Sequence, residues 1–338
     1  MNSAERMTRT LNGASVDHLC AQPITMTFAA RHAGVPYGLY CRDWRVLVRA
    51  QTLVAARFGI DMLSLCSDPV REAADCGAPI VWFEDQPPSH HPDCILLRER
   101  ADLARLKLPD PLGGGRMHDR VLAAQALQEI SAGEVPVLGW IEGPLAAAAQ
   151  LRGLHNVLVD LVDDPAWAGE LLDFTCEMEL AFAAAQAPYV DIMGIGDAAC
   201  SLLGPDVYKE LVLPRQTRLV RGVQALGLPV RLHICGRTDQ LFPGIATLGV
   251  EMMDVDSAAD LTLARSVLGP RVALLGNCDP VTVLLEGTPA SVRAAFERCW
   301  GEAGWPFVVG PGCEVPPDTP VENVEAMMEF ARQTAPGL

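Results

Sequence analysis

The sequence has almost no lysine. Among 338 residues only Lys107 and Lys209 carry that side chain, and the rest of the positive charge is arginine. Acidic residues outnumber basic ones 42 to 26, giving a net charge of −16. A field of that sign repels phosphate backbones and argues against nucleic acid as a partner. No lysine-rich cluster exists to form a polybasic patch for anionic lipid. Long apolar runs are also missing: the alanine-rich stretch 144–151 is too short to cross a bilayer. The first residues, Met1-Asn2-Ser3-Ala4-Glu5-Arg6, carry charge where an export signal has an apolar segment. Closely paired cysteines are lacking as well. The 11 cysteines, an odd number, are scattered from Cys20 to Cys313, unlike a secreted disulfide framework. Together these absences point away from membranes and nucleic acid and toward a reducing cytoplasm.

What is present is apolar and regularly patterned. Half the residues are hydrophobic, enough for a sizeable core. Short β-rich runs at 22–28, 60–65, 136–142, 189–196, 229–234, 250–254, 272–277 and 307–310 alternate with helical patterns. The clearest of those are 44–58, 119–130, 167–184, 205–226 and 288–303. Strands alternating with helices imply parallel βαβ units, and eight of them is the count of a (β/α)8 TIM barrel; a doubly wound sheet is the alternative. The expected fold is α/β: a single TIM-barrel domain spanning 1–338 with a long insertion, 68–119, after the second strand. That insertion holds Pro87-Pro88 and the glycines 113–115.

The sharpest local feature is Leu232-His233-Ile234-Cys235-Gly236. Side chains two apart on a strand point the same way, so His233 and Cys235 face together at the carboxyl end of the fifth strand. Cys313 follows the last strand, in Gly310-Pro311-Gly312-Cys313-Glu314. Barrel closure would bring it to the same face, where TIM-barrel active sites are built. Two thiolates and an imidazole suit zinc, and three protein ligands leave a position open, the pattern of a catalytic site. The same residues also serve as ordinary core, and spacing alone leaves both readings open. Asp254 and Asp256 come after the next strand, and either offers a fourth ligand or a helix cap, with Asp256 preferred as ligand. Gly194-Ile195-Gly196-Asp197-Ala198-Ala199 is a G-x-G-x-x-A, but Gly204-Pro205 interrupts the helix a dinucleotide site needs. It reads better as a tight barrel loop with Asp197 at the pocket rim.

These segments resemble a known family. His233-Ile234-Cys235-Gly236 with the run from Gly310 to Pro320 is similar to the zinc signature of the corrinoid-dependent methyltransferases, including the methylcobamide:coenzyme M methyltransferases, within the uroporphyrinogen decarboxylase superfamily. Gly139-Trp140-Ile141-Glu142-Gly143-Pro144 and Gly276-Asn277-Cys278-Asp279-Pro280 match too. The resemblance implies a TIM barrel, one zinc per chain, and methyl transfer between a corrinoid and a thiol or methoxy substrate. It further implies that methylcobalamin arrives as co-substrate on a partner, a corrinoid carrier protein. The chain has no Asp-x-His-x-x-Gly cobalamin pattern of its own. The parent decarboxylases carry an early Arg-x-Ala-Gly-Arg motif. Here Arg31 is kept and Val35 replaces the second arginine, while Pro311 stands where their late Gly-His-Gly has histidine. Ser67-Asp68 does match their catalytic Ser-Asp pair. Asp68 and Asp197 are therefore the candidate catalytic carboxylates, and His233, Cys235, Cys313 and Asp256 the candidate metal ligands. A decarboxylase using Asp68 and a non-catalytic zinc-binding barrel are the alternatives.

Overall fold

The computed structural model describes residues 1–91 and 94–336; residues 92–93, inside the expected insertion, and 337–338 lie outside the described residues. The strands are β1 (Cys20–Ala21), β2 (Leu63–Ser64), β3 (Ile80–Val81), β4 (Ser89–His90), β5 (Val137–Glu142), β6 (Ile192–Gly196), β7 (Val230–Ile234), β8 (Met252–Val255), β9 (Ala273–Gly276) and β10 (Phe307–Val309). Eight of them form one parallel sheet in the order β1-β10-β9-β8-β7-β6-β5-β2, curled with helices around it in a TIM-barrel-like α/β fold. At the seam between the ends, Asp61 bonds Ala21 twice: its N–H donates to the Ala21 carbonyl at 2.9 Å, and its carboxylate accepts from the Ala21 N–H at 2.9 Å. Arg6, on the N-terminal helix Ser3–Leu11, donates to the other oxygen of Asp61 at 2.7 Å. β3 and β4 make a separate antiparallel hairpin between β2 and β5.

Local signals explain most of the helices. Helix Trp44–Phe58 starts where the Asp43 carboxylate accepts the Arg45 N–H, and it stops at Gly59. Helix Pro289–Ala303 opens with a Thr288–Ser291 capping box. The strand expected at 22–28 differs. β1 ends at Ala21, and Met26–His32 is a helix. Pro23 has no N–H to give a ladder, so pairing beyond β1 is reduced to the Gln22 N–H on Val309 and a single bridge from Ile24 to Glu314. The helix expected at 205–226 is broken by a wide π turn at Tyr208–Val212, just ahead of Pro214, whose missing N–H removes one α-helical bond. Among the described residues no helix is long and apolar enough to cross a membrane.

Candidate metal centre and its cavity

His233 lies on β7 and Cys235 one residue beyond it, where Gly236 turns the chain with φ +86°. Cys313 arrives from three strands away, after β10. Gly312 makes that approach possible: a Cβ there would sit 2.0 Å from the Val255 carbonyl and 2.7 Å from the Asp256 Cα. The three donor atoms then lie within 4.8 Å of one another. His233 Nε2 is 2.9 Å from Cys235 Sγ, and the two sulfurs are 3.6 Å apart.

The imidazole is fixed from behind. Register pairs His233 with Asp254 on β8, and its Nδ1–H donates to Asp254 Oδ2 at 2.9 Å, leaving Nε2 to face the sulfurs. Asp254 is gripped in turn by Arg231 at 2.9 and 2.8 Å, and Arg231 also donates to Gln22. Both members of this ion pair are fully buried. Burial draws the His233 pKa down, but the bond to Asp254 outweighs it and the ring is pushed up to about 9. The hydrogen bond from Cys235, with help from His233, pulls the Cys313 thiol down to about 5 against its burial, and Cys235 is pushed up correspondingly.

These donors form one wall of a cavity of about 250 Å³, also lined by Ile24, Met26, Asp68, Trp140, Glu142 and Glu314. It lies at the carboxyl ends of the strands. Asp68 reaches it from the loop after β2. Its carboxylate accepts from Arg116 at 2.7 Å and from the Ser67 hydroxyl at 2.8 Å. Burial opposes ionisation, but Arg116 and Arg71 hold it down at about 2. Asp197 is not in the wall. Strand alternation turns Gly196 inward and Asp197 outward, where its carboxylate accepts the Ala146 N–H at the start of helix Pro144–Arg152 and the Gln216 amide, each at 2.7 Å. Asp256 stands beside Cys235 but outside the three-donor group, its Oδ1 occupied by the Ala258 N–H at 2.9 Å.

The uroporphyrinogen decarboxylase family profile matches residues 2–334. The chain belongs to the uroporphyrinogen decarboxylase family. Within it, relatives of two kinds are similar to this chain. The methylated-thiol–coenzyme M methyltransferase of Methanosarcina mazei is 28% identical over 65% of this chain and 59% of its own length. The methylcobamide:CoM methyltransferase MtbA of the same organism is 31% identical over 65% of each. The chain thus aligns with somewhat under two thirds of those relatives. A uroporphyrinogen decarboxylase of Sorangium cellulosum is 28% identical over 82% of this chain and 80% of its own length. A solved methyltransferase from Methanosarcina mazei shares the fold, with TM-score 0.89 over 98% of each chain at 22% identity.

Sequence reasoning missed two features of the site. The sequence offers Asp254 as a ligand or cap, whereas the register makes it the residue that orients His233. Glu142 was visible only as part of a motif. It lies in register with Gly196, which pairs with His233, so Glu142 and the imidazole share one layer of the barrel across a bare glycine. Glu142 accepts from Arg71 at 2.9 Å, and the same guanidinium serves Glu72 at 3.0 Å; Glu179 Oε2 accepts the Glu142 N–H at 3.2 Å. Burial pushes Glu142 up to about 8, against the pull of Arg71.

A raised carboxyl pKa contributes stability that is full below the ordinary carboxylate range and is lost as pH rises toward 8. Glu142→Gln removes that titration. Its melting temperature should match the wild type near pH 5 and exceed it by roughly 5 °C at pH 9, measured by circular dichroism. A difference that does not grow with pH would show that Glu142 has no raised pKa between pH 5 and pH 9.

Proposed function

We propose that the chain is a zinc-dependent methyltransferase, a single cytoplasmic barrel domain moving a methyl group between a corrinoid and a small thiol or methyl-bearing substrate. The corrinoid, methylcobalamin, would come on a carrier protein. The observation that carries this reading is the convergence of His233, Cys235 and Cys313 on one wall of a cavity at the carboxyl ends of the strands. The donor set fits zinc: two sulfurs, one imidazole nitrogen, and a carboxylate fixing the ring from behind. Zinc held there would stabilise the anion of a bound sulfur and so make a thiolate available at neutral pH.

The chain's own residues do the rest. Asp254 and Arg231 hold the imidazole in the tautomer that presents Nε2. Ile24, Met26 and Trp140 supply an apolar wall that keeps water from the sulfur. Asp256 is the proposed fourth donor, released from the Ala258 amide when no thiol occupies the site. Asp68, ionised beside the cavity, is placed to orient a substrate, and Asp197 acts at a distance by bracing the loop after β6.

Calorimetry on zinc-loaded protein tests this. Adding a suitable thiol should release about one proton per site near neutral pH. With methylcobalamin present the thiol should become methylated as the cobalt absorbance shifts. Zinc-dependent demethylation of a methoxy compound without thiol binding would instead make the protein the corrinoid-loading partner. If no corrinoid supports either reaction, the reading fails.

A second reading, decarboxylation at Asp68, is favoured by the placement of that ionised carboxylate in the cavity. Three observations weigh against it. Val35 and Pro311 replace the family's second arginine and its histidine. The cavity, about 250 Å³, is also small for a tetrapyrrole, given that drug-sized ligands take roughly 300–1,000 Å³. Uroporphyrinogen incubated with the enzyme should yield no products with fewer carboxylates. Their appearance at enzymic rates, followed by chromatography, would reverse the order of the two readings.

A further inference from the structure

The cavity wall around the metal donors is unusual in its charge. It presents the carboxylates of Asp68, Glu142 and Glu314, and no lysine or arginine lines it. The two nearby guanidiniums are already spent. Arg116 is paired to Asp68 at 2.7 Å, and Arg71 is shared between Glu142 at 2.9 Å and Glu72 at 3.0 Å. Behind Glu142 lies a further buried carboxylate, Glu179, whose Oε1 has no partner, and Glu72 Oε2 is likewise unpartnered. Five carboxylates thus face two guanidiniums around the cavity.

Glu142 is turned toward the open space. One of its oxygens takes Arg71; the other borders Gly196, where a Cβ would come within 3.4 Å of it. Gly196 sits between Glu142 and His233 in the register, and with no side chain there the Trp140 indole packs over it, so that Trp140 and the Glu142 carboxyl border the same cavity as the metal donors. With or without its proton, Glu142 offers a neutral donor or a negative acceptor there, never a counter-charge for an anion. Of the further guanidiniums, Arg231 is bound to Asp254 at 2.8 Å behind His233, and Arg31 lies in a separate depression with Glu84 and Asp85, paired to Asp318 at 3.1 Å. Zinc held by two thiolates would have no net charge left for an anionic group beyond the substrate sulfur, so bringing one into such a site strips its hydration without a compensating partner, and the net charge of −16 opposes its approach.

We propose that this cavity takes an uncharged or cationic small thiol or methylated ligand, and that ligands bearing a sulfonate or carboxylate are excluded. The proposal rests on the methyl-transfer reading for the reaction, and it parts from the relatives named for coenzyme M, which is 2-mercaptoethanesulfonate.

The test is a charge series on the full-length, zinc-loaded protein. Isothermal calorimetry measures binding of 2-mercaptoethanol, cysteamine, 2-mercaptoethanesulfonate and 3-mercaptopropionate, with each affinity corrected for the thiol's own ionisation. The neutral and cationic thiols should bind at least about tenfold tighter than either anion. At pH 9, where the Glu142 carboxyl has lost its proton, Glu142→Gln should cut the advantage of cysteamine over 2-mercaptoethanol several-fold; an unchanged advantage there removes Glu142 from the assignment. Wild-type protein that binds the sulfonate as tightly as 2-mercaptoethanol overturns the proposal, and so does a failure of both non-anionic thiols to bind. Methyl transfer from methylcobalamin is followed separately. Its absence with the charge order intact counts against the proposed reaction alone, whereas transfer that is fastest to the sulfonate keeps the reaction and sinks the charge rule.

Discussion

Cys235→Ser and Cys313→Ser should each strip the protein of most of its zinc while leaving the barrel folded. Wild-type protein is expected to carry about one zinc per chain, and each variant less than roughly a fifth of that, since a serine hydroxyl is a poor replacement for a thiolate. Methyl transfer should fall with the metal. The fold should survive because the three donors line a cavity wall, while the core is a large apolar cluster built from all eight strands and the helices around them. Small zinc modules behave differently, unfolding when the metal leaves. Elemental analysis of freshly purified protein, with circular dichroism as the control, gives the result. Full zinc retention in both variants would falsify the site assignment.

The second large effect is expected at a residue that touches no substrate. Asp254→Ala leaves the Arg231 guanidinium fully buried without its counter-charge, a change that costs about 3–5 kcal/mol. It also frees the His233 ring, which should weaken zinc binding by about 10- to 100-fold, as the loss of a carboxylate behind a metal-bound histidine does. Asp254→Asn separates the two effects: it keeps an acceptor for Nδ1–H while losing the charge, so stability should drop more than zinc affinity. In the double variant Arg231→Met with Asp254→Leu the unpaired charge is gone, and stability should recover part of the loss. Denaturant unfolding and chelator competition supply the two readouts. If Asp254→Ala unfolds at the wild-type midpoint, the buried pair carries no such role.

Much of the scaffold was legible because its signals are local. The helix expected at 44–58 is found with those bounds, since Asp43 caps one end and Gly59 ends the other within the sequence itself. The strands at 229–234 and 307–310 are found within a residue or so at each end. The run 22–28 departs from the expected strand because a short apolar stretch reads equally as strand or helix, and what settles it is that pairing beyond Pro23 shrinks to the single bridge from Ile24 to Glu314. The π turn before Pro214 has the same character: the proline is visible, but the way the chain absorbs its missing N–H is not.

At the site the division is similar. His-x-Cys at the end of a strand needs only the two-residue period to put both side chains on one face, so the sequence by itself determined that pair and the donor chemistry it offers. It also determined that Cys313 follows a late strand. Only the tertiary structure decided that Cys313 closes to 3.6 Å from Cys235, that Asp254 lies beside His233, that Asp68 opens on the same cavity and that Asp197 turns away from it. Those outcomes depend on strand register and on how the curled sheet meets itself, which are relations between segments tens to hundreds of residues apart. A shift of one residue in register would exchange every inward side chain for its outward neighbour. The alternation along each strand is written in the sequence; which strand lies beside which, and at what level, is fixed only when the whole core packs.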